Sequence, residues 1–369
     1  MKKLGLIVNP IAGMGGRVGL KGTDGKETLQ KAIALGAQQV SPGRTVQMLR
    51  KLGPIKEKFT LLTCPDGMGE DEAREAGFDP KVLGKIDPGK TTAADTKRAA
   101  RGMVEGEVDL IVIVGGDGTI RDVHDTLGTE VPVVAVPAGV KLHSAVFSTS
   151  PEAAAETVMK FLWDELPLRE AEVMDVDETA YRTGRLSAKL YGHLLVPYEP
   201  VFLQGSKLAS IGAEAEAEQQ EAVASQVVEN MESGTIYLLG PGTTTRAVAE
   251  ALREEKTLLG VDVIQDKKVI AWDVNERQIL ELIQGKKSKI IVSPIGGQGF
   301  IFGRGNQQLS PEVLRKVGKD NVLVLASPQK LLHIRALKVD TGDSELDKEF
   351  KGHIRVVTGY RTTQMVGVA

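Results

Sequence analysis

The run Val108-Asp109-Leu110-Ile111-Val112-Ile113-Val114 passes without a break into Gly115-Gly116-Asp117-Gly118-Thr119, and Ile120–Leu127 reads as the helix that follows. A continuous apolar run of this length fits a strand buried on both faces of a parallel sheet. Its glycine turn then lies at the carboxyl end of the sheet, where open α/β sheets bind ligands. Three glycines let the backbone approach a phosphate closely and expose its amides, and a helix start adds a favourable dipole for an anion. Asp117 is the odd member, because a carboxylate repels phosphate. It suits a base for a hydroxyl, or a contact made through a metal ion. The alternative is a tight turn with Asp117 as a helix N-cap.

The same texture repeats upstream and just downstream. Leu4–Val8 is a short apolar strand stopped by Asn9-Pro10, and Phe59–Thr63 and Val131–Val136 read as further strands. Lys26–Leu35, Thr45–Leu52 and Ala93–Glu105 read as helices, the last with Thr91 or Thr92 as N-cap. Strands alternating with helices imply a doubly wound parallel sheet. Past about residue 165 short strands cluster instead: Glu172–Val176, Ala188–Val196, Thr235–Leu239, Val261–Gln265, Lys268–Trp272 and Lys289–Val292. That change predicts a second, β-rich domain. Ala213–Met231 is a Glu-, Ala- and Gln-rich helix with most of its surface toward solvent. Asn321–Ala326 is another buried strand, and a last one starts at Ile354.

A length of 369 residues fits two domains or one large α/β unit. The expected division is an α/β domain over 1–165 carrying the glycine loop, a β-rich domain over 166–320, and a segment over 321–369 packing back on the first domain. With 46 Lys+Arg against 49 Asp+Glu, the chain is not a nucleic-acid binder working through global charge. Its single cysteine, Cys64, excludes an intrachain disulfide and a CxxC site, which fits a reducing compartment. No apolar run approaches the roughly 20 residues a membrane span needs. These features lead to the expectation of a cytoplasmic protein without a membrane partner.

Other loops add candidates. Gly13-Met14-Gly15 opens like a dinucleotide fingerprint, but Val18 stands where the third glycine belongs, and no Walker A pattern occurs there. Arg17 and Lys21 would let this loop hold phosphates; otherwise it is a surface loop. Pro137-Ala138-Gly139-Val140-Lys141-Leu142-His143-Ser144 follows a strand on the same sheet edge as Asp117, so Lys141 and His143 are candidates to meet a phosphate, with a structural role as the alternative for His143. Gly240-Pro241-Gly242-Thr243-Thr244-Thr245-Arg246 offers hydroxyls, amides and a guanidinium to a ribose, a phosphate or an adenine edge; the alternative is a Thr-capped helix. Ser293-Pro294-Ile295 with its following glycines, Arg304 and Asn306-Gln307-Gln308 would form a wall or lid. The five histidines show no metal-ligand spacing, no Gly-x-Ser-x-Gly elbow is present, and Cys64 reads as a buried thiol at a strand end.

On these residues the sequence resembles the ATP-NAD kinase superfamily, and within it the branch grouped with the acetoin-catabolism protein X. Gly115-Gly116-Asp117-Gly118-Thr119 is the superfamily's diagnostic loop. Asn9-Pro10 follows the first strand as in related lipid kinases. Pro137 through Phe147 sits at the family's next glycine turn, and Ser293-Pro294-Ile295 lies where NAD kinases have a Thr-Pro-Ile. The resemblance spans about residues 4–330. It implies an N-terminal α/β domain, a β-rich C-terminal domain and an active site in the cleft between them. The implied reaction transfers the γ-phosphoryl group of ATP, with Mg²⁺, to a hydroxyl; in NAD kinases this is the adenosine 2′-hydroxyl of NAD. Asp117 would be the general base. Asn9, Gly115, Gly116, Gly118, Thr119, Gly139, Lys141 and His143 would face phosphates or nucleotide. A homo-oligomer is implied as well.

Two departures fall in the acceptor half. The Asn-Glu pair of NAD kinases has Asp177-Glu178 as its nearest counterpart, and Asp177 accepts hydrogen bonds but cannot donate them. The Thr-Pro-Thr-Gly-Ser-Thr loop has Gly242, Thr243, Thr244 and Thr245 as its only comparable residues. NAD is therefore the leading acceptor, with a polyol or lipid-like alcohol as the alternative; Phe147, Tyr191, Tyr198 and Phe202 would line an apolar channel or belong to the core. A non-catalytic nucleotide sensor is the remaining class, and such a binder would do better without the Asp117 carboxylate.

Overall fold

The computed structural model describes residues 1–20, 22, 25–87, 89–140, 142–176, 188–199, 202–203, 213–295 and 298–369. The chain divides into two compact units, one formed by 1–15 and 22–206, the other by 16–21 and 207–369.

The first unit opens with β1 (Lys2–Val8), α1 (Lys26–Ala34), α2 (Ser41–Leu52), β2 (Phe59–Thr63), α3 (Glu70–Glu75), β3 (Lys81–Val82) and α4 (Ala93–Glu105). It continues with β4 (Leu110–Gly115), α5 (Asp117–Leu127), β5 (Val133–Pro137), α6 (Pro151–Leu162) and the strands β6 (Leu168–Val176) and β7 (Ala188–Pro197). Among the described residues β3-β2-β1-β4-β5 form one parallel sheet in that order. The unbroken apolar run of β4 has a direct cause. Leu110, Val112 and Val114 pack with Met48, Leu49 and Leu52 of α2 and Ala154, Ala155 and Val158 of α6. Ile111 and Ile113 face the other way, onto Ala99, Ala100 and Met103 of α4 and Ile120, Val123 and Leu127 of α5. Burying each such side chain stabilises the fold by about 1.5–3 kcal/mol, so both faces demand apolar residues. Of the two threonines considered, Thr92 heads α4: its backbone N–H donates to Asp95 Oδ2 at 2.8 Å in a capping box.

The antiparallel pair β6–β7 corrects the boundary expected at 165. Ala171, Val173, Leu194 and Val196 are buried in the same core as α4 and α5. The hairpin packs there because its apolar face has that core to cover, and the first unit accordingly runs to residue 206.

The second unit contains α7 (Ala213–Glu229), β8 (Ile236–Leu239), α8 (Thr243–Ala251), β9 (Asp262–Gln265), β10 (Lys268–Ala271), α9 (Glu276–Ile283), β11 (Ser288–Val292) and β12 (Phe300–Phe302). Then come α10 (Pro311–Val317), β13 (Val322–Leu325), α11 (Pro328–Leu332), β14 (Lys338–Val339), α12 (Ser344–Phe350), β15 (Gly352–Gly359) and β16 (Thr362–Val368). As expected it is β-rich: among the described residues seven strands form one mixed sheet, ordered β10-β9-β8-β11-β13-β15-β16. β8, β11, β13 and β15 are parallel, and β9, β10 and β16 are antiparallel to their neighbours. Residues 321–369, expected to return to the first domain, instead supply three strands of this sheet. The reason is packing: Val324, Phe350, Val356 and Val368 complete the unit's own core. α7 buries one stripe, Val223, Ala224 and Val227, against the other face.

Candidate active site

In the first unit β1 and β4 lie side by side, and the chain leaves β1 toward β2 but leaves β4 toward β5. The carboxyl ends of β1 and β4 therefore flank a topological switch point, where connecting loops part and leave a crevice. Three loops meet there. The backbone N–H of Asn9 donates to Val114 O at 2.9 Å. Ala138 N and Gly139 N donate to Gly115 O at 2.9 and 3.1 Å. A Cβ on Gly13, whose φ is +82°, would lie 1.9 Å from Ala138 O, so only glycine fits against that carbonyl. A Cβ on Gly116 would stand 3.3 Å from Gly139 Cα. The loops after β1, β4 and β5 are thus in backbone-to-backbone contact, a close approach that glycines at 13, 116 and 139 make possible.

Asn9 and Thr119 were expected to face phosphates. Their side chains bind each other: Asn9 Nδ2 donates to Thr119 Oγ1 at 2.9 Å, and Asn9 Oδ1 accepts from Ile11 N at 3.2 Å. Thr119 is buried, and its side chain folds over Gly115, where a Cβ would come within 2.5 Å of Oγ1. These residues hold the loops together.

Gly116, not Asp117, is the N-cap of α5, and Asp117 is the first helical residue. Its carboxylate does not cap the helix. Oδ2 accepts from His143 N at 2.8 Å, and Oδ1 accepts from Ser144 N at 3.0 Å and from Ser144 Oγ at 2.6 Å. His143 Nδ1 lies 3.6 Å from Oδ2, and the two side chains are 11 % and 12 % exposed, recessed yet reachable. The carboxylate is thus held by three donors while its side chain stays 12 % exposed. His143 is brought to Asp117 as the loop order suggested, chiefly through its backbone. Sequence reasoning missed Ser144 as a site residue: a serine among Leu142, Val146 and Phe147 carries no spacing signal, and the one clue was a polar group where the core should be apolar.

The remaining candidates divide. Gly118 lies in the first turn of α5 beside Asp117. Lys141, Asp177 and Glu178 lie outside the described residues, as does Lys21. Arg17 belongs to the second unit, where its carbonyl accepts from Glu276 N at 3.0 Å. Gly242 is the N-cap of α8 with φ +120°. Thr245 Oγ1 donates to Gly240 O and Gly242 O at 2.7 and 2.9 Å, and Thr244 is buried, so of the three hydroxyls Thr243 is the outward one. Buried Arg304 pairs with Asp340. Phe147 is core, Tyr191 donates from the surface to Asp125 Oδ1 at 2.6 Å, and Tyr198 carries Arg169 over its ring at 4.1 Å. Those three have separate structural roles. Burial pushes the Cys64 thiol up to about 12, the behaviour of an inert interior thiol.

No helix among the described residues is long and apolar enough to cross a membrane. Residues 4–166 match the family model described as the ATP-NAD kinase N-terminal domain, and residues 232–368 match that of the ATP-NAD kinase C-terminal domain. A search of curated proteins gave no match.

Proposed function

Because the chain belongs to the ATP-NAD kinase superfamily and is an ATP-dependent kinase acting on a hydroxyl, we propose that its acceptor is NAD and its product NADP. In this reading the adenosine 2′-oxygen attacks the γ-phosphorus of ATP. The bond from that phosphorus to the β,γ-bridging oxygen breaks, ADP leaves, and the acceptor's proton passes to Asp117. The observation that carries the proposal is the Asp117 carboxylate itself, fixed by His143 and Ser144 at the head of α5 beside the Gly116–Gly139 approach. The backbone of such half-buried glycines suits phosphate oxygens, and the α5 N-terminus favours their charge. Mg²⁺ enters with the nucleotide as MgATP and neutralises its triphosphate. Among the described residues no three His, Cys, Asp or Glu side chains converge to hold a cation by themselves.

Base catalysis is typically worth about 10²–10⁴-fold; the rest of the acceleration falls to positioning and charge stabilisation, as in other phosphoryl transfers. For the acceptor, Asp177 and Glu178 are our candidates to hold the ribose hydroxyls. Gly242 to Thr245 are candidates for nucleotide contact through Thr243 and the α8 amides. A homo-oligomeric state belongs to the same proposal.

The test incubates purified protein with MgATP and NAD and reads the product with an NADP-specific dehydrogenase. NADP formation supports the reading. ATP turnover that depends on Asp117 but needs another hydroxyl compound would replace NAD as the acceptor. Nucleotide binding with no turnover on any acceptor would leave a nucleotide sensor.

A further inference from the structure

Ser144 is fully buried, and a hydroxyl in apolar surroundings is costly unless its hydrogen bonds are made. Here they are made on both sides. Its Oγ donates to Asp117 Oδ1 at 2.6 Å and accepts from the backbone N–H of Met174, on β6, at 2.9 Å. Its own backbone N–H also reaches Oδ1, at 3.0 Å. A carboxylate has about four lone-pair directions. Two donors therefore fill Oδ1, whereas Oδ2 takes the single hydrogen bond from His143 N at 2.8 Å. The two oxygens of Asp117 are not equivalent: among the described residues Oδ2 has one hydrogen bond, with His143 Nδ1 3.6 Å away, and so keeps a lone-pair direction that no hydrogen bond fills.

The same strand is fastened a second time. Arg121, one turn along α5 from Asp117, pairs with Asp175, the residue after Met174. β6 is thus tied at consecutive positions, through Ser144 to Asp117 and directly to Arg121 of α5. Its chain then continues directly to Asp177 and Glu178. An aspartate χ2 is broad and loosely restrained when left alone, and proton transfer needs the base within hydrogen-bond reach of the attacking hydroxyl.

We propose that Ser144 is the positioning residue of the kinase reaction: it occupies Oδ1 of Asp117, ties that oxygen to β6, and leaves Oδ2 as the atom that takes the acceptor's proton. The inference rests on the functional reading above. Ser144 is fully buried behind Asp117 and acts through it, so its effect falls on turnover and not on binding.

The test compares wild type with Ser144→Ala and Ser144→Cys in steady-state kinetics with MgATP and NAD, alongside nucleotide-binding stoichiometry and thermal unfolding. For Ser144→Ala, kcat falls on the order of 10- to 100-fold, the worth of one hydrogen bond to a charged group, while KM for both substrates stays within about twofold. Ser144→Cys keeps the volume but has only a weak S–H donor, so its kcat falls in the same direction with the unfolding midpoint retained. It decides the matter should the alanine variant not fold. A kcat near wild type in the folded variants, or a kcat loss matched by a rise in KM, overturns the proposal. Wild type that forms no NADP removes the functional reading itself, and the inference with it; active wild type with a normal Ser144→Ala variant removes the inference alone.

Discussion

Asn9 Nδ2 and Thr119 Oγ1 are 2.9 Å apart, and through that bond the turn after β1 is fastened to the first turn of α5. An asparagine at the mouth of a crevice lined by glycine turns would ordinarily be read as a ligand. Here each end of its amide has a partner within the protein, since Oδ1 takes the Ile11 N–H. Asn9→Ala should therefore lower stability by about 1–3 kcal/mol, seen as a shifted denaturant midpoint at unchanged m-value. Unchanged stability with a large loss of ATP affinity would show that the side chain turns to the phosphates instead.

Gly13 supports a sharper prediction. An alanine there meets Ala138 O at 1.9 Å in addition to the left-handed backbone, whereas Gly36, at φ +81°, has open space around it. The strain of that conformation is roughly 1–2 kcal/mol. Gly36→Ala should cost about that amount, and Gly13→Ala clearly more, with loss of nucleotide binding as the β1 and β5 loops are forced apart. Equal midpoints for the two variants would contradict the close approach.

Glu72 makes stability depend on pH. It is 4 % exposed, its Oε2 has no hydrogen-bond partner among the described residues, and burial pushes its carboxyl above the ordinary carboxylate value. A carboxyl raised in the folded state adds stability below its unfolded value of about 4.3, and that contribution is lost as pH rises through the folded value. Glu72→Gln should then be more stable than wild type near pH 7, on the order of 1 kcal/mol, with the advantage gone near pH 4. Unfolding midpoints of both proteins at the two pH values check this; a destabilised glutamine variant at neutral pH would refute it.

Much of the first unit is legible from sequence because β4 is covered on both faces, so Leu110–Val114 could only be written in apolar residues. The convergence of the loops at 9, 115 and 139 follows from strand adjacency at the switch point. What lies beyond the pattern is contact-dependent. Ser144 is a site residue only because Met174 and Asp117 come to either side of its hydroxyl. The unit boundary was misplaced because β6 and β7 have the texture of the second unit but the core of the first; only the burial of Val173 and Leu194 beside α5 assigns them. The helix Pro151–Leu162 is marked in the sequence by little more than its cap, Ser150, whose Oγ accepts from Ala153 N at 3.1 Å. In the second unit, parallel strands as short as four residues alternate with short helices such as Pro311–Val317, and such brief elements leave weak periodicity.

In the proposed reaction Asp117 takes the proton of the attacking hydroxyl. This step is tested most directly by single-turnover transfer of the γ-phosphoryl group to NAD in wild type and Asp117→Asn at saturating MgATP. The transfer rate should be about 10²–10⁴-fold lower in the asparagine variant, with ATP affinity changed no more than a few-fold and the fold intact. An asparagine variant that transfers phosphate within about tenfold of wild type would contradict it.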